Sequence, residues 1–221
     1  MKMTTPLGNS AFEIKEGEVF SLVIENKALF RSYVEELYKQ SEGADGKIVL
    51  SENGTPVSLH KNVNIIDKFI PFSVNTKQVL SGICSALEKR AADEEHFLKT
   101  SQLMADIENY ISELCFDFPF RTECTKLTPE TVIKALHVSA AEDYESLAEA
   151  VLYYMSLVTE FDGRKLFVFI NMRSFFSDLE MRRFAEEVRL KQMYVLLIES
   201  HAYEKIEGTE RLVTAEDLCE F

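Results

Sequence analysis

Two uniformly apolar runs near the carboxyl end constrain this chain more than any other feature. "RKLFVFIN" follows Asp162-Gly163, and "MYVLLIES" comes about twenty residues later. Between them, Ser177-Asp178-Leu179-Glu180 has the serine and glutamate spacing that caps a helix start, and the helix is expected to run to about Leu190. A strand exposed to water on one face alternates polar and apolar residues, and these two do not. Strand–helix–strand with unbroken apolar strands therefore predicts a parallel sheet covered on both faces.

The amino-terminal half carries a matching unit in "VFSLVIENKALFRSYVEELYKQ". A short buried strand leads through Glu25-Asn26-Lys27 into a helix over Leu29–Gln40. Leu29, Phe30, Tyr33, Val34, Leu37 and Tyr38 fall on one face of it. Upstream, Glu13 to Glu25 reads as one or two strands around the turn "KEGE". Downstream, Asn53-Gly54 predicts a β-hairpin, and Pro56 places its second strand at an edge.

From Thr76 to about Cys115 the apolar period becomes helical, with a bend expected over Ala91 to Glu95. Phe97, Met104 and Ile111 are seven apart, as are Ile107 and Leu114, a narrow seam that predicts a protruding pair of helices. Thr128-Pro129 opens a further helix, and Asp143 another with its stripe running from Tyr144 to Phe161. The expected organisation is an α/β head from residues 1–74 and 125–221, interrupted by a helical leg over 75–124.

Bulk properties narrow the function. At 221 residues and 46% hydrophobic the chain can bury a core, and no apolar run is long enough to cross a membrane. The amino terminus lacks the apolar stretch of a secretory signal. Cys84, Cys115, Cys124 and Cys219 form no CxxC pair, which suits reduced, mostly buried thiols in the cytoplasm. A net charge of −13, taken alone, argues against nucleic acid as a partner, although an acidic exterior can surround a basic inner face.

Catalytic motifs fail in turn. A nucleotide-hydrolysing loop needs glycines to close backbone N–H groups on phosphate, and Glu25–Lys27 has none. "LFVFIN" resembles a magnesium-holding strand but ends in Asn171, where an acid is required. No catalytic residue is assigned on this basis. Glu25-Asn26-Lys27 also fits the acid-x-Lys pattern of metal-dependent nucleases, but such a site needs a further carboxylate from a neighbouring strand. His60, His96, His137 and His201 lack metal-ligand spacing, and no GxSxG elbow is present. Basic residues remain: Lys61, Lys68, Lys77, Lys89, Arg90 and Lys99 lie in or near the start of the helical insertion, ready to meet phosphate if assembly aligns them. Asp117, Glu123, Glu130, Glu142 and Asp143 surround the return to the head and are the candidate ligands for a hard cation.

"RKLFVFINMRSFFSDLEMRRFAEEVRLKQMYVLLIES", the terminal "VTAEDLCEF", "IPFSVNTKQVLSGICSALEK" and "VIKALHV" together resemble the Csn-type accessory protein of type II-A CRISPR systems. The resemblance runs over nearly the whole chain and lies in the order of segments. It implies a degenerate P-loop NTPase-like head without hydrolytic activity and a helical leg. It further implies a homotetrameric ring around double-stranded DNA ends, supported by calcium. The implied partners are the adaptation integrase and the RNA-guided nuclease, and the implied process is spacer acquisition in antiviral defence. On this reading Glu25–Lys27 is the relic of a nucleotide site. The chain departs from the family where calcium is expected, because "CFDFPFRTECTKLTPE" holds few acids and places Arg121 among them. The alternatives are a nuclease using Glu25 and Lys27, or a protein-only scaffold of the adaptation complex.

Overall fold

The computed structural model describes residues 1–116, 118–123 and 125–220. The chain forms two compact units. One comprises Met1–Ser73 with Tyr144–Phe221, the other Val74–Asp143.

The first unit is built on a five-stranded sheet. Its strands are β3 (Val19–Ile24), β6 (Val63–Ile66), β7 (Leu166–Ile170), β8 (Tyr194–Glu199) and β9 (Glu210–Thr214), in the order β6-β7-β8-β3-β9. Every neighbouring pair is parallel. All five residues of β7 are buried, as the unbroken apolar run requires. Alternate side chains enter different layers. Leu166, Val168 and Ile170 join a core with Leu22, Ile24 and the helix residues Tyr33 and Leu37. Phe169 instead meets Phe184 edge-on, with ring centroids 5.6 Å apart.

Helix α1 (Lys27–Ser41) follows β3 and α7 (Asp178–Leu190) follows β7. Ser177 and Glu180 form the reciprocal cap that the sequence predicts. The second sheet, antiparallel in the order β2-β1-β4-β5, joins β1 (Lys2–Thr4), β2 (Ala11–Glu13), β4 (Leu50–Glu52) and β5 (Thr55–Val57). Met3, Phe12 and Leu50 bring it into the α1 core, and the Tyr33 hydroxyl donates to the Thr4 carbonyl. Asn53 and Gly54 both have positive φ, the conformation that a two-residue hairpin turn demands, and β5 is an edge strand. A four-residue helix, α2 (Leu59–Asn62), precedes β6.

The second unit contains α3 (Lys77–Ala91), α4 (Phe97–Phe116) and α5 (Pro129–Ala135). Thr76 and Thr128 cap α3 and α5 with their side chains. One boundary differs from the expected one. The expected return to the head at residue 125 differs from the boundary at Asp143, because α5 packs on α3. Asn75 then staples the ends of the unit together: its amide donates to the Ala140 carbonyl at 3.0 Å and accepts from the Ala140 N–H at 2.9 Å. The seam residues of the expected helix pair stay outside the core. Not one residue of α4 is buried; Phe97 and Leu114 stay more than half exposed, and Ile111 is exposed as well.

Helix α6 (Leu147–Phe161) returns the chain to the first unit. It begins four residues later than Asp143 because Ser146 supplies the cap, accepting from the Glu149 N–H. Its face carries Val151, Tyr154, Met155 and Val158 into the core, and Tyr154 is hydrogen-bonded to buried Asn64 of β6. Cys84 and Cys115 are only half-buried and Cys219 is exposed, contrary to the expected burial; all three are free thiols.

Candidate functional site

In an open parallel sheet, ligands bind beyond the carboxyl ends of the strands, where connections leave in different directions. In this chain that edge carries the joint from β3 to α1. Glu25 continues the strand pairing by donating its N–H to the Thr214 carbonyl at 3.0 Å. Asn26 then ends it. Its side-chain oxygen accepts from the Leu29 N–H at 3.0 Å, and its amide nitrogen donates to the Glu216 carbonyl at 3.1 Å. The helix start is thus closed by its own cap and by the carboxyl-terminal segment. A phosphate cradle needs the reverse, several free N–H groups converging on one point.

A cleft of about 450 Å³ lies beside this joint, lined by Ile24, Glu25, Lys27, Phe30, Ser200, His201 and Glu216. Lys27 and His201 are its basic members, against two carboxylates. That balance repels a triphosphate rather than holding it. Glu25 and Lys27 do share the cleft, and Glu216 is the additional carboxylate that the sequence pattern lacks. Yet among the described residues no group of three or more His, Cys, Asp or Glu side chains is placed to hold a metal ion.

The strand whose apolar run resembles a magnesium-holding one ends in a structural amide. Asn171 has φ of 52°, a left-handed conformation that asparagine tolerates better than most residues. Its N–H donates to the Ile198 carbonyl and its side-chain oxygen accepts from the Ser200 N–H, both at 2.9 Å. The acid of this region sits on the neighbouring strand, as Glu199 at the end of β8, and it is buried. Burial pushes its carboxyl up to about 7, opposed by N–H groups of Arg173 and Met172 and by the Arg173 charge. Sequence reasoning passes over Glu199. The signal is there, an acid closing an otherwise apolar run.

The predicted DNA-contacting side chains divide between the units. Lys61 lies in α2 and Lys68 just beyond β6. Lys77 opens α3, Lys89 and Arg90 lie in its last turn, and Lys99 is in α4. All six are exposed, and none forms an ion pair among the described residues. Lys77 and Lys89 are about 18 Å apart along the helix at 1.5 Å per residue, so α3 presents two basic ends rather than one patch.

The predicted cation ligands are not brought together. Asp117 lies outside the described residues. Glu123 pairs with Arg121 at 3.2 Å, and Glu130 pairs with Lys134 one turn along α5. Glu142 accepts from the Val74 N–H at 3.0 Å, and Asp143 is exposed. Calcium takes six to eight oxygens. The described residues of one chain do not supply that donor set.

Several solved structures of ATP-binding cassettes are similar to this chain at low identity. One, cbiO1 from Clostridium perfringens, part of the ABC transporter complex cbiONQ, has 11% identity over 87% of this chain and 70% of its own, with a TM-score of 0.43. A nucleotide-free ATP-binding cassette from an ABC transporter has 10% identity over 95% and 82%, with a TM-score of 0.46. Identification rests on sequence. The family of the CRISPR-associated protein Cas_Csn2 matches residues 40–218, from the last turn of α1 through four of the five parallel strands and the helical unit to the tail that closes the joint. The chain belongs to the Cas_Csn2 family of CRISPR-associated proteins.

Proposed function

We propose that this chain is a non-enzymatic protein of CRISPR adaptation that binds double-stranded DNA ends as a ring of four copies. It works beside the adaptation integrase and the RNA-guided nuclease, in the cytoplasm. Family membership supports the CRISPR association. The observation that carries the non-enzymatic reading is the closed joint. Asn26 and the Glu216 carbonyl occupy the helix start where a phosphate loop would open. The head is then a degenerate nucleotide-binding fold kept as scaffold. Exposed basic side chains without carboxylate partners supply phosphate contacts, and the uncovered apolar side of α4 supports contacts between copies.

The test is binding to linear duplex over a range of salt, with magnesium or manganese present. Affinity is expected to fall steeply with salt, with little preference for sequence and no cleavage. Cleavage that is lost in Glu25→Gln or Lys27→Ala makes the chain a nuclease instead. Absence of DNA binding at low salt leaves the protein-only scaffold, which the charge of −13 favours.

Calcium enters this reading only through contacts between copies, where carboxylates of two chains can complete one coordination sphere. Mass in solution at millimolar calcium and in chelator checks it. The expected outcome is a shift toward the tetramer with calcium, lost when Asp117 and Glu123 are both replaced by Ala. A tetramer equally stable in chelator removes calcium from the account.

A further inference from the structure

The carboxyl edge of the sheet holds a second cavity, which shares His201 with the cleft beside the joint. Glu199 is 1% exposed, and the Arg173 side chain is 8% exposed. Each keeps one buried polar atom unsatisfied: Glu199 Oε2, an acceptor, and Arg173 Nε, a donor. Both residues line a single cavity of about 20 Å³. One water needs roughly 10–15 Å³ of such space and at least two polar partners. The space therefore matches one water, which can accept from Arg173 Nε and either donate to an ionised Glu199 Oε2 or accept from a protonated one.

Arg173 also holds the loop that roofs this cavity, between β8 and β9. Its Nη1 donates to the Glu204 carbonyl at 3.3 Å, and its guanidinium lies 4.9 Å from the centre of the Tyr203 ring. Its Nη2 donates to Asp178 at 2.7 Å, and its backbone N–H donates to Glu199 at 3.0 Å. From β9, Arg211 donates to the Tyr203 carbonyl at 3.0 Å. We propose that Glu199, one bound water and Arg173 form a proton-controlled latch that holds the loop of residues 200–209 over the end of the sheet.

Protonation decides the latch because opening the loop hydrates Glu199. A buried carboxyl prefers to be neutral, and a hydrated one ionises at an ordinary pH. The carboxyl titrates at about 7 when closed, against the ordinary 4.5. Opening therefore releases a proton, and the open fraction rises with pH. Between pH 6 and pH 8 these two values give about a tenfold rise in the open fraction. The charged groups lining the cavity with Glu199 are Arg173, Glu204, Lys205 and Arg211, Asp178 accepts from the Arg173 guanidinium, and Tyr203 and His201 complete the titratable set. His201 is the one imidazole lining this cavity, and its replacement separates its contribution from that of Glu199.

The experiment is amide hydrogen exchange of the full chain at pH 6 and pH 8, corrected for intrinsic rates. Protection of residues 200–209 is expected to fall about tenfold in the natural sequence and in His201→Ala, and to be unchanged with pH in Glu199→Gln. Loop protection independent of pH in the natural sequence overturns the proposal. So does a pH dependence that survives in Glu199→Gln or disappears in His201→Ala. Carbon-13 titration of the Glu199 carboxyl in the natural sequence gives a reading that needs no variant. A midpoint near 7 supports the latch, and one near 4.5 contradicts it.

Discussion

Strand β7 and helix α4 are both rich in apolar residues, and their fates differ completely. All five residues of β7 are buried, whereas none of the twenty in α4 is. The strand has a helix layer on each side of its sheet, so every side chain finds a core. The helix carries its apolar residues as a narrow seam, which buries area only against another helix. Among the described residues no helix buries it. Apolar content alone therefore says what a segment needs, and the fold decides whether the chain itself supplies it.

The largest effect that can break this contrast is in stability. Phe169→Ala removes a fully buried ring and is expected to cost about 3–5 kcal/mol in urea unfolding. Leu114→Ala, at a side chain half exposed, is expected to cost under about 0.5 kcal/mol at concentrations where the chain is monomeric. Equal losses at the two positions mean that α4 is packed after all. A Leu114 effect that appears only at high concentration sharpens the account, because it places the seam at an interface between copies.

Charge gives a smaller contrast between the same regions. Replacing Lys77, Lys89, Arg90 and Lys99 of the helical unit by Ala removes up to four cations that can neutralise phosphate. The slope of log affinity against log salt is expected to fall by about 0.9 for each phosphate that is no longer neutralised. Replacing Lys61 and Lys68 of the sheet unit is expected to lower it by no more than half as much. Unchanged slopes in the first variant and a large change in the second move the DNA surface to the sheet unit.

Much of the sheet unit is legible in the sequence because its signals are local. The capping box at Ser177, the turn at Asn53-Gly54 and the apolar run of β7 each set a conformation within a few residues. Strands β1 and β9 escape notice because they are short or partly polar, and they become strands only through the partners beside them. The end of the helical unit is missed for a similar reason, since Asn75 and Ala140 are far apart in sequence. At the candidate site the missing glycines and the neutral Asn171 are readable directly. The buried Glu199 is not, because its character comes from Arg173 and from the loop above it.

Threading of DNA ends through a ring tests the central claim most directly. Binding of the protein to a short linear duplex is compared with binding to a closed circle of equal length, at one salt concentration. The account predicts binding to the linear form and little to the circle, with binding restored when the circle is cut once. Equal affinity for both forms contradicts it.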